Sequence, residues 1–266
     1  MTFQSVSSHV KPIAKAGLAA KGIVYTILGA FAFMAAFEIA GQTTRDANRE
    51  GVFSFIQNQT GGQIMLAIIA LGLLCYTLWR WIQTFSDTEH KGSDTKGIAT
   101  RTGYFFSGLF YTTVAIYVIK LLFSINKGSG DKKLGMIQEV LSKSYGQLLI
   151  GFAALVMIVV GIYQIWYGFS GKYKEHVGSA GGTANERLLV SSGKIGYAAR
   201  GIVWLIIGWM FSKAAFYSNA SEAGDTSKAF AFLEDSAYGS YLLGAVGFGF
   251  LCYGIFNFIR ARFERF

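Results

Sequence analysis

A fifteen-residue segment that opens a long apolar run occurs three times in this sequence, at residues 15–29, 101–115 and 194–208. Every copy has glycine at its third and eighth positions and an aromatic residue at its eleventh. The shared residues are Gly17, Gly103 and Gly196, then Gly22, Gly108 and Gly201, and then Tyr25, Tyr111 and Trp204. A segment that recurs with the same residues at its start predicts a repeated structural unit.

The apolar runs that follow predict membrane-spanning helices. The chain is 52% hydrophobic and 15% charged, whereas soluble domains carry about 25% charged residues. An apolar run of about 18 residues or more is long enough to cross the hydrocarbon layer as a helix. Six runs qualify, at residues 18–37, 63–82, 103–123, 147–168, 197–217 and 240–259. The short alternating strands of a membrane barrel are absent from the pattern, so the sequence predicts an all-α integral membrane protein.

The second span of each pair also begins at a glycine, at Gly62, Gly146 and Gly239. These lie 45, 43 and 43 residues after the first glycine of their segments. We therefore predict one membrane domain, residues 1–266, made of three helical hairpins at 15–82, 101–168 and 194–260. Each hairpin has two spans, so all three insert in the same direction, and a pseudo-threefold arrangement about the membrane normal is expected. An open row of hairpins is the alternative.

The distribution of positive charge predicts the orientation. Fifteen of the 24 lysines and arginines flank the side that holds both termini, and nine flank the other side. Positive residues favour the cytoplasmic side, so both termini are expected in the cytoplasm and the protein in the bacterial inner membrane. The formal charge of +9 is explained by these flanks. We therefore expect the lipid bilayer, including anionic phospholipid, as the partner and no nucleic acid; no protein partner is indicated.

The three connections on the other side contain short amphipathic segments at 52–57, 136–141 and 229–234. Such segments can lie flat at the membrane interface. They can equally pack over the mouth of the bundle as a lid.

Three tandem copies of Gly-x-x-x-[Lys/Arg]-Gly-x-x-[Tyr/Trp] resemble the bacterial domain-of-unknown-function 1206 family. The resemblance implies three two-helix membrane units over nearly the whole chain, and it implies no reaction and no substrate. The middle copy departs from the pattern, because Ser107 replaces the cation found at Lys21 and Arg200.

These two cations are the first candidate site residues. Lys21 and Tyr25 are four residues apart and share one helix face, as do Arg200 and Trp204. A cation–π contact within each helix is feasible, and the positive face would attract an anion such as a lipid phosphate. Alternatively, the cations extend to the cytoplasmic headgroups and set the helix depth, or they lie along a solute path.

A second set of polar residues lies eighteen positions after the second-span glycines, at Arg80, Gln164 and Asn257. Arg80 is a further candidate for lipid or anion binding. Gln164 and Asn257, with Ser107, are candidates for a polar ring around the central axis, and ordinary interfacial end residues are the alternative. The nine repeated glycines are expected to serve helix packing.

The motifs that this sequence lacks also bear on function. We expect no acid or base deep in any of the six spans, where proton relays, pumps and ion-coupled carriers have them. Nucleotide-binding, zinc-protease and serine-hydrolase motifs are absent. We expect no enzymatic activity, no cofactor and no metal site. The leading hypothesis is an accessory or scaffold protein that engages anionic lipid or a partner at its cationic cytoplasmic face. The alternative is a channel or carrier for a small neutral or anionic solute along the pseudo-threefold axis.

Reporter proteins inserted after residues 90 and 180, or fused after residue 266, should all be active only as cytoplasmic reporters. The reason is the excess of lysine and arginine on that side. A reporter inserted near residue 128 serves as the control and should score as external. External reporting from residue 90 or 180 would contradict the parallel arrangement of the hairpins.

Overall fold

The computed structural model describes residues 3–87, 92–123, 130–173 and 183–263, and this part of the chain is helical without strands. Each repeat contributes a long helix, a shorter helix and a second long helix. The helices are α1 (Phe3–Ala36), α2 (Arg49–Gln57), α3 (Gly62–Ser86), α4 (Thr95–Leu122), α5 (Gly130–Leu141), α6 (Gly146–Ser170), α7 (Thr183–Phe216), α8 (Thr226–Glu234) and α9 (Gly239–Phe263).

Six of these helices are long and apolar enough to cross a membrane, which confirms the predicted all-α class and the six spans. The spans are Pro12–Ala36, Gly62–Ser86, Thr100–Leu122, Gly146–Ser170, Glu186–Phe216 and Gly239–Phe263. Helices α1 and α7 have 34 residues each and are longer than the apolar runs predicted for them. Polar residues continue these helices because a helix outside the hydrocarbon needs no apolar surface.

The chain divides into two compact units. The first comprises Met1–Ile23, Phe53–Ile125 and Asn257–Phe266, and the second comprises Val24–Val52 and Asn126–Phe256. Every contact described below joins residues of the same unit.

The first motif glycine allows the two spans of a repeat to touch. A Cβ on Gly17 would lie 2.5 Å from the Cβ of Tyr76, and a Cβ on Gly196 would lie 2.8 Å from the backbone nitrogen of Tyr253. A second close approach follows three residues later, where Ala20 faces Gly72 in the first unit. Its equivalent in the second unit is Ala199 against Gly249. Small residues at matching positions thus bring the backbones together in the first and third hairpins.

The second motif glycine receives a side chain from the preceding repeat. Gly108 of α4 faces Trp81 of α3, and Gly201 of α7 faces Ile165 of α6. In the same way Gly22 of α1 faces Phe258 of α9.

A third small position strengthens the contact between neighbouring repeats. Gly29 of α1 meets the backbone of α9 at Gly247 and Leu251, and Gly208 of α7 meets that of α6 at Ile158. The equivalent position in α4 is Ala115, which is fully buried. Close packing over several turns supplies the van der Waals energy that holds helices together in lipid.

The short helices α2 and α8 each pack against a span. In α2, Phe53 is fully buried and its ring packs against Tyr117. In α8, Phe230 is fully buried and packs against Phe250. Helix α5 is held less closely, since Leu141 is buried but Met136 is exposed.

The glycines that open the second spans lie in the turn after each short helix. The amides of Gly62, Gly146 and Gly239 each donate a hydrogen bond to the carbonyl three residues earlier, at 2.8 to 2.9 Å. A Cβ on any of them would lie about 2 Å from a backbone carbonyl oxygen of the preceding helix. These glycines therefore serve the tight turn, which no other residue fits.

Replacing Gly196 by alanine should destabilise the protein by about 1–3 kcal/mol, because the added methyl overlaps the backbone of Tyr253. Unfolding of the purified protein in detergent, followed by circular dichroism, measures the change. Gly103→Ala is the matched control, since it is the same motif position and its Cβ would meet no atom within 4 Å. That variant should be neutral or up to about 1 kcal/mol more stable, owing to the better helix propensity of alanine. Equal effects of the two changes would contradict the packing described for the first motif glycine.

Candidate functional site

Lys21 is buried inside the first unit among aromatic rings. Its side chain is 5% exposed. Its Nζ lies 5.3 Å from the ring centre of Tyr76 on α3 and 5.4 Å from that of Tyr111 on α4. The two rings meet edge to face with their centres 4.6 Å apart. We call Lys21, Tyr76 and Tyr111 the Lys21 cage.

Arg200 occupies the equivalent place in the second unit. Its guanidinium carbon lies 4.3 Å from the ring centre of Tyr253 on α9 and 5.2 Å from that of Tyr25 on α1. The guanidinium also donates a hydrogen bond to the hydroxyl of Tyr253. The two rings again meet edge to face, with centres 4.8 Å apart. We call Arg200, Tyr253 and Tyr25 the Arg200 cage.

Both cages follow one rule within the repeat. The cation comes from the first span, one tyrosine comes from the second span of the same repeat, and the other aromatic residue comes from the first span of the next repeat. A cation held between two ring faces in an environment without water gains about 2 kcal/mol or more. Each cage therefore bonds three helices at one point and offsets part of the cost of placing a charge in the membrane.

The predicted pairing of Arg200 with Trp204 on the same helix face stays a prediction. Trp204 is half-buried one turn along α7, and two rings that lie over Arg200 are those of Tyr253 and Tyr25. Spacing along one helix shows only which residues share a face, whereas close helix packing presents the rings of two neighbouring helices. The aromatic motif position is thus a partner for the cation of the preceding repeat.

The middle repeat has no such cage. Ser107 stands at the cation position, and Val160 stands where repeats one and three have tyrosine. Cation and tyrosine are present together in two repeats and absent together in the third. This internal comparison was a signal for the pairing, and the sequence analysis missed it because it did not compare the position fourteen residues after the second-span glycines.

Arg80 lies on α3 one turn after Tyr76 of the Lys21 cage, towards the end of that helix. Its guanidinium carbon lies 5.1 Å from the ring centre of Tyr76 and 4.9 Å from that of Tyr104. Its Nε and Nη2 donate to the hydroxyl of Tyr76 at 2.9 and 2.7 Å, and Nη1 donates to Oε1 of Gln83 at 2.8 Å. Arg260 lies near enough for its charge to act on that of Arg80. We call these five residues the Arg80 cluster.

These bonds leave part of the guanidinium of Arg80 available. A guanidinium has five N–H donors, and within the part of the chain that the structure describes, bonds to Tyr76 and Gln83 use three of them. The two remaining donors, with the charge of Arg260 alongside, favour a negatively charged group.

Arg49 adds a second cation to the Arg200 cage. Its Nη2 donates to the hydroxyl of Tyr25 at 3.3 Å, and its guanidinium carbon lies 6.0 Å from the centre of the same ring. The sequence reasoning placed Arg49 among the charges of an outer connection and missed this contact. It could be found only once α2 was known to pack inward, since Arg49 is its first residue.

The three predicted axial residues are placed as follows. Gln164 is buried on α6 in the second unit, and its Oε1 has no hydrogen-bond partner in the described structure. Asn257 is fully buried on α9 and Ser107 is half-buried on α4, both in the first unit. Their role around a common axis stays a prediction.

An aromatic cluster extends the Arg200 cage towards the end of α6. The ring of Tyr197 meets those of Tyr253 and Tyr173 at 5.3 and 5.8 Å. The Tyr173 hydroxyl donates to the carbonyl of Val190 at 2.7 Å. Burial raises the pKa of Tyr173 above its usual value, more than a hydrogen bond involving the backbone of Lys194 lowers it. Tyr173 is therefore neutral at physiological pH and serves packing.

In the described part of the chain, no group of three histidine, cysteine, aspartate or glutamate residues is placed to hold a metal ion. The expected absence of a metal or cofactor stays a prediction.

The fold and the repeated cages define a multi-pass, all-α protein built from tandem two-helix repeats. The family described as Domain of Unknown Function (DUF1206) matches residues 16–87, 102–171 and 195–264. The chain belongs to this family, which confirms the resemblance seen in the sequence.

A relative with the same extent is an uncharacterised protein, YxxB, of Bacillus subtilis (strain 168). It is 26% identical over 264 residues, which cover 98% of this chain and 94% of that protein. No solved structure matches this chain.

The contact between Arg200 and Tyr253 should appear as a coupling energy of about 0.5–2 kcal/mol in a double-mutant cycle of Arg200→Met and Tyr253→Leu. The measurement is the free energy of unfolding in detergent. A parallel cycle of Arg200→Met with Trp204→Leu is the control, and its two changes should add within about 0.5 kcal/mol. A larger coupling to Trp204 than to Tyr253 would show that the cation pairs along its own helix.

Proposed function

We propose that this protein is a non-enzymatic accessory protein of the bacterial cytoplasmic membrane that binds an anionic phospholipid at the Arg80 cluster. Both termini are on the cytoplasmic side in this proposal, and the lipid headgroup docks at the same side. The single observation that carries the proposal is the guanidinium of Arg80, which lies against two tyrosine rings and uses three of its five N–H donors among the described residues.

The chemistry of this cluster suits a phosphate group. Guanidinium binds phosphate oxygens through paired N–H donors, and a guanidinium that is already fixed loses little entropy on binding. The positive charges of Arg80 and Arg260 repel each other. A phosphate between them would attract both and offset that repulsion. A single anionic headgroup therefore lowers the electrostatic energy of the Arg80 cluster.

The position of the cluster along the helices also suits a headgroup. Arg80 lies six residues before the end of α3, and Arg260 lies three residues before the end of α9. Arg101 donates to the carbonyl of Thr84 at 2.9 Å and caps the end of α3. These helix ends belong to the side with fifteen of the 24 lysines and arginines, where a negatively charged leaflet is attracted.

A carrier or channel for a small anionic solute is the second candidate function. The observation that favours it is the presence of Lys21 and Arg200 inside spans, because ionisable residues within the membrane mark substrate and ion pathways. Flux of a small anion into vesicles that contain the purified protein would test it.

Replacing Arg80 by glutamine should lower the amount of phosphatidylglycerol that co-purifies with the protein at least threefold, because the phosphate loses its paired donors. Mass spectrometry of lipid extracted from protein in mild detergent measures the ratio of anionic to zwitterionic lipid. Arg262→Gln, which removes an exposed arginine of the same helix end as Arg260, is the matched control and should leave that ratio unchanged.

Arg80→Lys separates charge from geometry in the same assay. It keeps the charge but not the planar pair of donors, and it should bind an intermediate amount of lipid. If Arg80→Gln and Arg262→Gln reduced bound lipid equally, the lipid would be held by general surface charge and the proposed site would be wrong.

A further inference from the structure

A groove lies between α6 and α7 in the second unit, at the end of the pair where α6 begins and α7 ends. Its volume is about 560 Å³, which is within the range of sites for small ligands. The residues that line it are mostly apolar and are Gln147, Leu148, Gly151, Phe152, Leu155, Ser212, Ala215 and Phe216. All of them belong to the spans Gly146–Ser170 and Glu186–Phe216, so the groove lies at the level of the membrane.

The floor of the groove is formed by small residues. A Cβ on Gly151 would lie 3.8 Å from the Cβ of Ala215, so the two helices are in ordinary van der Waals contact there. The hydroxyl of Ser212 donates to the carbonyl of Gly208, one turn earlier, at 2.9 Å. Because this bond is made within α7, the serine needs no polar group from a ligand.

The equivalent place between α9 and α1 is filled by a side chain of the protein. Counted from the glycines of each repeat, Gly244 corresponds to Gly151 and Phe37 corresponds to Phe216. A Cβ on Gly244 would lie 2.9 Å from the ring of Phe37, whereas among the described residues a Cβ on Gly151 would meet no ring within 4 Å. The side chain of Phe37 is 44% exposed and that of Phe216 is 81% exposed. Phe216 therefore points outward and leaves the groove open.

One difference between the repeats explains the open groove. The ring of Phe37 packs against that of Phe33, one turn earlier on α1, with their centres 5.0 Å apart. In the third repeat Ser212 stands at the position of Phe33, so α7 has no ring there for Phe216 to pack against. The walls of such a space lack van der Waals partners, and an apolar molecule that fills it restores those contacts.

The length and polarity of the groove match one acyl chain. Gln147 and Leu155 are eight residues apart on α6, or about 12 Å, and one leaflet has half of a hydrocarbon layer of about 30 Å. At the end where α6 begins, the amide of Gln147 donates to the hydroxyl of Ser218, and both residues are exposed. Tyr145 and Tyr217 are exposed at the same end, and tyrosine is enriched at the level of lipid headgroups. The groove thus suits a molecule that is polar at this end and apolar along its length.

We propose that this groove binds one acyl chain of a membrane phospholipid, with the ester end of the chain beside Gln147 and the rest running towards Leu155. The site is separate from the Arg80 cluster, because it recognises the chain and not the charge of the headgroup. A helix of a second copy fits the groove less well. Helices associate in lipid through faces of small residues, whereas the floor here is bordered by the large side chains of Leu148, Phe152 and Phe216.

The experiment uses the full-length protein in nanodiscs with phosphatidylcholine that carries a photoreactive diazirine in one acyl chain. Mass spectrometry of peptides after illumination locates the labelled residues. A diazirine near the ester should label residues 147–148 and Phe216, and one near the methyl end should label residues 152–155. Each should exceed the labelling of Leu149, an exposed residue of α6 outside the groove, at least threefold. Equal labelling of Leu149 and the groove, or the reverse order of depth, would overturn the proposal.

Filling the groove from within is the second arm of the test. Ser212→Phe introduces the residue that the first repeat has at this position and should lower labelling of the groove at least fivefold. Ser212→Leu adds a smaller side chain, which protects the test against loss of folding, and should lower the labelling to an intermediate extent. Leu149→Phe is the matched control and should leave it unchanged. Undiminished labelling in both variants of Ser212 would show that the chain does not occupy the groove.

Two further measurements separate this site from other lipid and protein contacts. Phosphatidylglycerol with the same labelled chain should label the groove to the same extent, and Arg80→Gln should not change that extent. Loss of groove labelling in Arg80→Gln would mean that the headgroup site holds the lipid, and the proposal would be wrong. Crosslinks between two protein chains that Ser212→Phe abolishes, without lipid labelling of the groove, would identify a second copy as the occupant and would also overturn it.

Discussion

The cost of placing a positive charge among apolar helices is the constraint on which the rest of this structure depends. A lysine or arginine at the centre of a spanning helix costs about 2.5–3.5 kcal/mol on insertion scales. Lys21 and Arg200 meet this cost partly through tyrosine faces, which attract a cation without bringing another charge into the membrane. Because the rings come from two different neighbouring helices, the charge is stabilised only when those helices are in place. The cation thus stabilises the arrangement in which the correct helices lie next to each other.

The glycine motif is what allows the rings to reach the cations. Gly17 and Gly196 let the backbone carrying Tyr76 or Tyr253 approach within contact distance, and a larger residue would move that ring away. One residue after each cation, Gly22 and Gly201 receive a side chain of the preceding repeat. The cation lies between these two points of close approach. Its motif is therefore a geometric unit in which glycine sets the distance and the cation supplies the specific interaction.

Much of the fold could be predicted from the sequence, because long apolar runs and repeated glycines are compatible with few structures. The six spans, the helical class and the family were predicted from these features. The partners of Lys21 and Arg200 were not, since periodicity along one helix carries no information about which neighbour faces it. Arg49 was missed for a related reason: its charge favoured an exposed connection, whereas the burial of Phe53 in the same short helix carries it inward. The apolar residues of α2 determine where this helix packs, and the position of Arg49 is a consequence of that packing.

The middle repeat shows what the cages contribute beyond packing. Ser107 and Val160 cannot form one, yet α6 still packs on α7 through Gly161, Gly201 and Gly208. The contact between α6 of repeat two and α7 of repeat three therefore needs only small residues. The contact within a repeat differs, because Gly17 and Gly196 lie against the second span in the repeats that have a cage, whereas a Cβ on Gly103 of the middle repeat would meet no atom within 4 Å. In repeats one and three the close approach at the first motif glycine thus accompanies the cation, and the tyrosine that it brings near offsets part of the cost of the buried charge.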